Sequence, residues 1–452
     1  MAIPPGSIRI DYDFSNPACY SGSGSTVFNL APFPLLKAST NGLFVSQGNS
    51  SYFSFSGNNI GGTNLETAFF NTVNATTFTF NIWCQMQGTA SDKPIFHYAG
   101  PYGLNFRGNT GATGTFNARM VGPGYGPSIS SASSNDTWFL FTIWCDATTF
   151  KLYRNGVLVS SGAFTGSLPG GQNYISLGGF GLQNNAKCKI ARFQYYTAAL
   201  DDADILQYFN DTKLYFPANR YDFSETQSYP GTGNTVFDMA GSLNLPLSYT
   251  PPVFVGAGTS SYFQFDGTQK YIGYDASANI TGLGSTFSIN LWTQTTGNAL
   301  YGVPFSAGYV LNLGRGPSFL YPYGSGVMNA SFLYNFGSID STDNPINTWQ
   351  MWTYIADGTN ATLYRNGINV GTDAQDGAYW ADGAFVFGNL YGGTNYYDGK
   401  TALLSVYNTA IGSTDVLALY NLQESRFPSP APPPPYAGSF GGRQFAQGFH
   451  SA

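Results

Sequence analysis

Residues 139–159 read FLFTIWCDATTFKLYRNGVLV, and residues 351–370 repeat the pattern as MWTYIADGTNATLYRNGINV. In the first copy Phe139, Phe141 and Ile143 alternate with Leu140, Thr142 and Trp144, the period of a strand with one buried face. Asp146, Ala147, Thr148 and Thr149 turn the chain, and residues 150–154 run back as a second strand. Asn155 and Gly156 suit the two positive-φ positions of a tight hairpin turn before a third strand at 157–159. The same three-stranded meander is expected again at 351–370.

Other segments recur at the same distance. Tyr12-Asp13-Phe14-Ser15 returns as Tyr221-Asp222-Phe223-Ser224, and Thr26-Val27-Phe28 as Thr235-Val236-Phe237. Ser51-Tyr52-Phe53 returns as Ser261-Tyr262-Phe263, and FTFNIW at 78–83 as FSINLW at 287–292. A period this long, held within 209 to 211 residues, marks a duplicated domain rather than a solenoid. Pro217 breaks the pattern within LYFPAN (214–219) and places the boundary there.

Each copy closes alike, on an alternating strand (189–196 and 400–407) followed by a short amphipathic helix. Asp201, Asp202 and Asp204 open the first helix, and Ser413, Thr414 and Asp415 the second. Side chains of this kind satisfy free N–H groups and complement the helix dipole, so the acidic cluster is structural. Segments 90–134 and 297–344 are rich in Gly, Pro, Tyr and Asn, and diverge most between the copies. They are expected as long loops or short irregular strands, where a β scaffold usually carries function. The units are therefore 1–213, 220–427 and a tail at 428–452.

Composition narrows the function classes. Charged residues make up 9% of the chain, against about 25% in ordinary globular proteins, while aromatics reach 17%. So little charge fits surfaces that are packed in an assembly or covered by glycan. A net charge of −6 with no basic stripe argues against nucleic acid. The N-terminal MAIPPGSIRIDYDF lacks a signal-peptide pattern, and no apolar run approaches membrane-spanning length, so no membrane insertion is expected. Cys19, Cys84, Cys145 and Cys188 have no counterparts in the second copy and read as small buried thiols rather than disulfides of the shared fold. The seven Asn-x-Ser/Thr sequons are about what this composition gives by chance.

Together, Tyr-Asp-Phe near each start, Phe-x-Phe-Asn-Ile-Trp, LYRNG and the closing helix resemble the concanavalin A-like, laminin-G-type jelly roll. The resemblance covers about residues 8–213 and 220–427. It implies an all-β chain of two tandem concanavalin A-like jelly-roll β-sandwiches, followed by the Pro-rich tail. The family spans lectins, glucanases, adhesion modules and virion proteins, so fold alone does not fix function.

Catalysis is not expected. Glucanases of this fold need two carboxyls about 5 Å apart, and the chain has only Glu66, Glu225 and Glu424, none near another in sequence. Asp11 and Asp13 share a strand face, but Arg220 matches Asp11 in the second copy. His97 and His450 stand apart from any Cys/His cluster, and no cofactor is expected. Lectin-like and laminin-G-like members often bind calcium through loop acids, which makes Asp13, Asp222 and Asp238 the candidate ligands.

Two binding roles are left. Sugars stack on exposed rings, and the divergent loops hold Tyr102, Tyr125, Tyr301, Tyr323 and Trp380 beside Asn and Asp, as a glycan-binding host-attachment or adhesion module would. The other, and the main reading, is a structural component of a large assembly, with other subunits as partners. After the proline spacer, Tyr436, Phe440, Arg443, Phe445 and Phe449 would then clasp a neighbouring capsid or surface subunit. Low charge, the duplication and the tail favour this assembly role on a virion, with an extracellular location as the alternative.

Overall fold

The computed structural model describes residues 8–427 except 25, 32–36, 40–41, 48–49, 57–64, 73–75, 88–92, 99–102, 110–114, 121–127, 133–136, 165, 167, 169–170, 181–183, 242, 249, 275–284, 297–301, 310–316, 321–328, 333–337, 341–345, 375–383 and 390–395. Two antiparallel β-sandwiches follow one another along the chain. In the first, one sheet runs Val157–Ala163, Thr149–Arg154, Trp138–Asp146, Thr77–Met86, Lys187–Tyr196, Tyr52–Ser56, Leu43–Val45. Ile8–Asp13 also pairs with Lys187–Tyr196. The second sandwich repeats this order with Ile368–Ala374, Asn360–Arg365, Gln350–Asp357, Thr286–Thr295, Asp398–Tyr407, Tyr262–Asp266, Val253–Val255. Segment 90–134 contributes the short strands Lys93–Tyr98, Leu104–Asn109, Thr115–Met120 and Ser128–Ala132 to the facing sheet of the first sandwich.

The LYRNG hairpin forms as its chemistry requires. Asn155 and Gly156 have φ of 52° and 78°, and Asn366 and Gly367 have 51° and 83°. The Asn155 N–H donates to the Leu140 carbonyl (2.8 Å), and its Oδ1 accepts the Leu140 N–H (3.0 Å). Asn366 makes the same pair with Met351, at 2.8 Å each. One asparagine thus turns the hairpin and ties it to the strand behind. A Cβ on Gly156 would lie 2.9 Å from Leu206 Cδ1, and one on Gly367 2.9 Å from Leu417 Cδ1. Glycine answers both the positive φ and the close approach of the closing helix.

The preceding turn differs between the copies. Asp146 Oδ1 accepts the N–H groups of Thr148 and Thr149, and Asp357 Oδ1 those of Thr359 and Asn360. Between them stands Ala147 at φ 81°, where the second copy has Gly358 at φ 92°. Left-handed backbone costs a non-glycine residue about 1–2 kcal/mol. Ala147→Gly should therefore stabilise the chain by about 1 kcal/mol, after some loss to unfolded-state entropy. A urea midpoint that stays put or falls would contradict this.

The expectation of one buried face on the 139–144 strand is corrected. Phe139, Phe141 and Ile143 lie in the sandwich core, but Leu140 and Trp144 are buried as well, in clusters on the outer face. A strand apolar on both sides belongs to a sheet covered on both sides. The cover is helix α1 (Asp202–Thr212) and the turn Lys213–Tyr215, and in the second sandwich helix α2 (Ser413–Gln423) and Glu424–Arg426. Trp83 Nε1 donates to Thr212 Oγ1 at 2.9 Å, and Trp292 Nε1 to Gln423 Oε1 at 2.6 Å. Asp201 caps α1 by accepting the Asp204 N–H at 2.7 Å, as the acidic cluster requires. All four cysteines are buried and free. Burial pushes the Cys19 thiol up to about 12 and Cys145 to about 11, which makes them poor nucleophiles.

Candidate functional site

The sandwiches meet along a polar seam. Gln85 Nε2 donates to the Ala240 carbonyl (2.7 Å), Gln47 Nε2 to Met239 (2.9 Å) and Gln227 Nε2 back to Ser46 (3.0 Å). Lys213 pairs with Asp415 at 2.8 Å. A cavity of about 130 Å³ lies in the seam, with Gln47, Ser50, Tyr215, Arg220, Glu225 and Tyr407 on its wall. Ligand pockets usually run to about 300–1,000 Å³. This one has room for a few waters or a single small polar group, not for an oligosaccharide.

The candidate calcium ligands are held by the protein itself. Asp13 pairs with Arg192 at 2.9 Å and accepts from the Ser15 backbone and hydroxyl. Asp222 is fully buried, and Arg426 grips it through both terminal nitrogens, at 2.9 Å to Oδ2 and 2.6 Å to Oδ1. Arg220 adds a contact at 3.2 Å. Burial alone would raise the Asp222 carboxyl, but the Arg426 hydrogen bonds and the two positive charges outweigh it and hold the group below the usual range. Asp238 is buried in its own loop and accepts from Asn219 Nδ2 (2.7 Å) and the N–H groups of Arg220 (2.9 Å) and Ala240 (3.0 Å). Burial raises its carboxyl, against the pull of those donors. Hydrogen bonds and ion pairs thus account for all three acids. Among the described residues no group of three or more His, Cys, Asp or Glu could hold a metal ion.

Asp11 and Asp13 do share one strand face, as the alternation requires. Gln194 Nε2 donates to Asp11 Oδ1 at 3.2 Å, and burial raises the Asp11 carboxyl above its ordinary value. Its neighbour Asp13 is committed to Arg192. Glu225 and Glu424 are exposed.

Tyr102, Tyr125, Tyr301, Tyr323 and Trp380 lie outside the described residues, as do Tyr436, Phe440, Arg443, Phe445 and Phe449 of the tail. Sequence reasoning missed Gln47 and Gln85, which join the sandwiches, and the arginines that neutralise the repeated aspartates. A signal was available for one: Gln85 and Gln294 recur two positions after the repeated tryptophans. The arginines gave none, because Asp13 takes its partner from Lys187–Tyr196 and Asp222 from the turn after α2.

Comparison with known proteins adds a family. The model of the concanavalin A-like lectin/glucanases superfamily matches residues 41–206 and 266–417, more than half of the chain. No curated protein matches it. Among solved structures, domain 4 of AbnA, an extracellular arabinanase from Geobacillus stearothermophilus in complex with arabinotriose, is 14% identical. That match covers 45% of this chain and 98% of the other, at a TM-score of 0.36. A heptameric SAP-like pentraxin from Limulus polyphemus is 17% identical over 36% of this chain and 82% of its own, at 0.30. The binding domain of botulinum neurotoxin DC, solved with rat synaptotagmin II, is 10% identical over 89% of this chain and 98% of its own, at 0.41.

Proposed function

This chain belongs to the concanavalin A-like lectin/glucanase superfamily, and from that premise we propose that it is a non-catalytic, lectin-like carbohydrate-binding protein. The supporting observation is the fate of its acids. Glycoside hydrolysis needs one carboxylic acid to protonate the leaving oxygen and a free carboxylate opposite it. Asp13 and Asp222, which the duplication repeats at one strand position, are each neutralised by an arginine. Sugar recognition needs no such pair. It needs rings and amides that a sugar can reach, and the sequence of the divergent loops supplies both residue types.

Tyr102, Tyr125, Tyr301, Tyr323 and Trp380 are the proposed stacking platforms. Binding to a defined subset of a broad glycan array is the expected result, and Tyr323→Ala or Trp380→Ala should weaken it about tenfold, or about 1.4 kcal/mol. A flat array profile would contradict the proposal.

A second reading, structural component of a virion or other large assembly, is supported by the 9% charge content and by an apolar strip. Val157, Leu158 and Val159 lie exposed on an edge strand, and the exposed Leu206 of α1 lies against Gly156, which precedes them. Both readings place the protein outside the cell or on a particle surface. Monomeric behaviour at high concentration would remove the assembly reading and leave the first.

A further inference from the structure

Each sandwich carries the same row of rings on its outer face. In the first, Tyr52 meets Trp138 (centroids 5.6 Å apart), Trp138 meets Phe216 (5.2 Å) and Phe216 stacks on Trp83 (4.4 Å). In the second, Tyr262 meets Trp349 (5.7 Å), Trp349 meets Phe427 (5.1 Å) and Phe427 stacks on Trp292 (4.5 Å). Lys189 lies over Tyr52 and Lys400 over Tyr262, each 5.0 Å from the ring centre.

The rows differ in what covers them. The first is covered by the chain that follows its own closing phenylalanine. Beyond Phe216 the strand Asn219–Asp222 leads to the loop of Asp238, and Ala240 from that loop packs among Tyr52, Trp83 and Trp138. In the second sandwich the Gln294 amide turns to its own Asn347 carbonyl (2.7 Å), where Gln85 reaches across to Ala240. Tyr52 and Lys189 keep 6% and 7% of their surface, whereas Tyr262 and Lys400 are only half-buried. Trp349 keeps 9% where Trp138 keeps 3%.

The chain beyond Phe427 begins at that face. Pro428 follows Phe427 as Pro217 follows Phe216, and residues 428–435 read PSPAPPPP. Such a run is preformed as polyproline II and docks into aromatic-lined grooves at little entropic cost. We propose that residues 428–435 seat on the Tyr262–Trp349 row of their own sandwich. There they take the place that the Asp238–Ala240 loop takes on the first.

The test uses the full chain and a full chain carrying Pro430→Ser, Pro432→Ser, Pro433→Ser, Pro434→Ser and Pro435→Ser, with a dye-labelled peptide of residues 428–438 as the probe. The serine variant should bind the peptide at least tenfold more tightly than the parent, whose tethered segment competes at high effective concentration. Adding Tyr262→Ala to the variant should abolish binding. Lys400→Ala, which leaves the ring row in place, should weaken it. No binding to the serine variant, or equal binding to both chains, would overturn the proposal. So would competition in the parent that disappears on dilution, since that would put the segment on a second copy.

Discussion

Arg426→Met should lower folding stability by about 3–5 kcal/mol, the usual cost of stranding a buried charge. Asp222 has no exposed surface, and Arg426 makes two of its shortest contacts. The same guanidinium donates to Ser224 Oγ (2.8 Å) and the Thr259 carbonyl (2.9 Å). Arg220 stays behind in the variant, which places the loss toward the lower end of that range. The first sandwich shows how the loss can be repaired. There the arginine is Arg192, and Tyr215 stands at the position of Arg426, 5.2 Å from the Arg192 guanidinium. Leu403 is the counterpart of Arg192 in the second sandwich. Leu403→Arg combined with Arg426→Tyr should therefore recover at least half of the loss in a denaturation midpoint. No recovery in the combined variant would mean that the two sites are not equivalent.

The same pair carries a pH dependence of known sign. Because the folded carboxyl of Asp222 lies below its unfolded value, its stabilisation is complete above about pH 4 and is lost as pH falls through the folded value. Asp238, raised by burial, works in the opposite direction. Parent minus Asp222→Asn isolates the first contribution. That difference should shrink as the pH is lowered from 5 toward 2, and a difference that grows would refute the assignment.

Trp292→Ala should cost about 3–5 kcal/mol, and Trp83→Ala a similar amount. Both rings are buried beneath the closing helices and stack on a phenylalanine that ends the domain. Removing Trp292 leaves a cavity between sheet and helix and takes one donor from Gln423 Oε1, although Asn290 Nδ2 still reaches it at 3.2 Å. Trp83→Ala disturbs the seam as well, since Ala240 packs in its cluster. It should therefore also loosen the second sandwich from the first, read as faster amide exchange at Ala240. Parent-like stability in either variant would show that these strands are not central.

The fold was legible because its signals are local. Asn-Gly at a hairpin, alternation at 139–144 and repeated acids at helix starts each act within a few residues. The outer-face cover was not, because Leu140 and Trp144 are apolar whichever face is buried, and the Thr212 and Gln423 partners of the tryptophans lie 129 and 131 residues away. The acids were half legible. Their repetition marked Asp13 and Asp222 as sharing a role, but the arginines that define it come from different elements in the two copies. The loop aromatics remain a reading of the sequence, as they lie outside the described residues.

The central claim, a sugar binder without turnover, is tested most directly by incubating the full chain with a panel of polysaccharides and following captured protein and released reducing ends together. Capture on at least one polysaccharide with no release above the protein-free control is the predicted result. Release that Asp13→Asn abolishes, or no capture on any member, would contradict it.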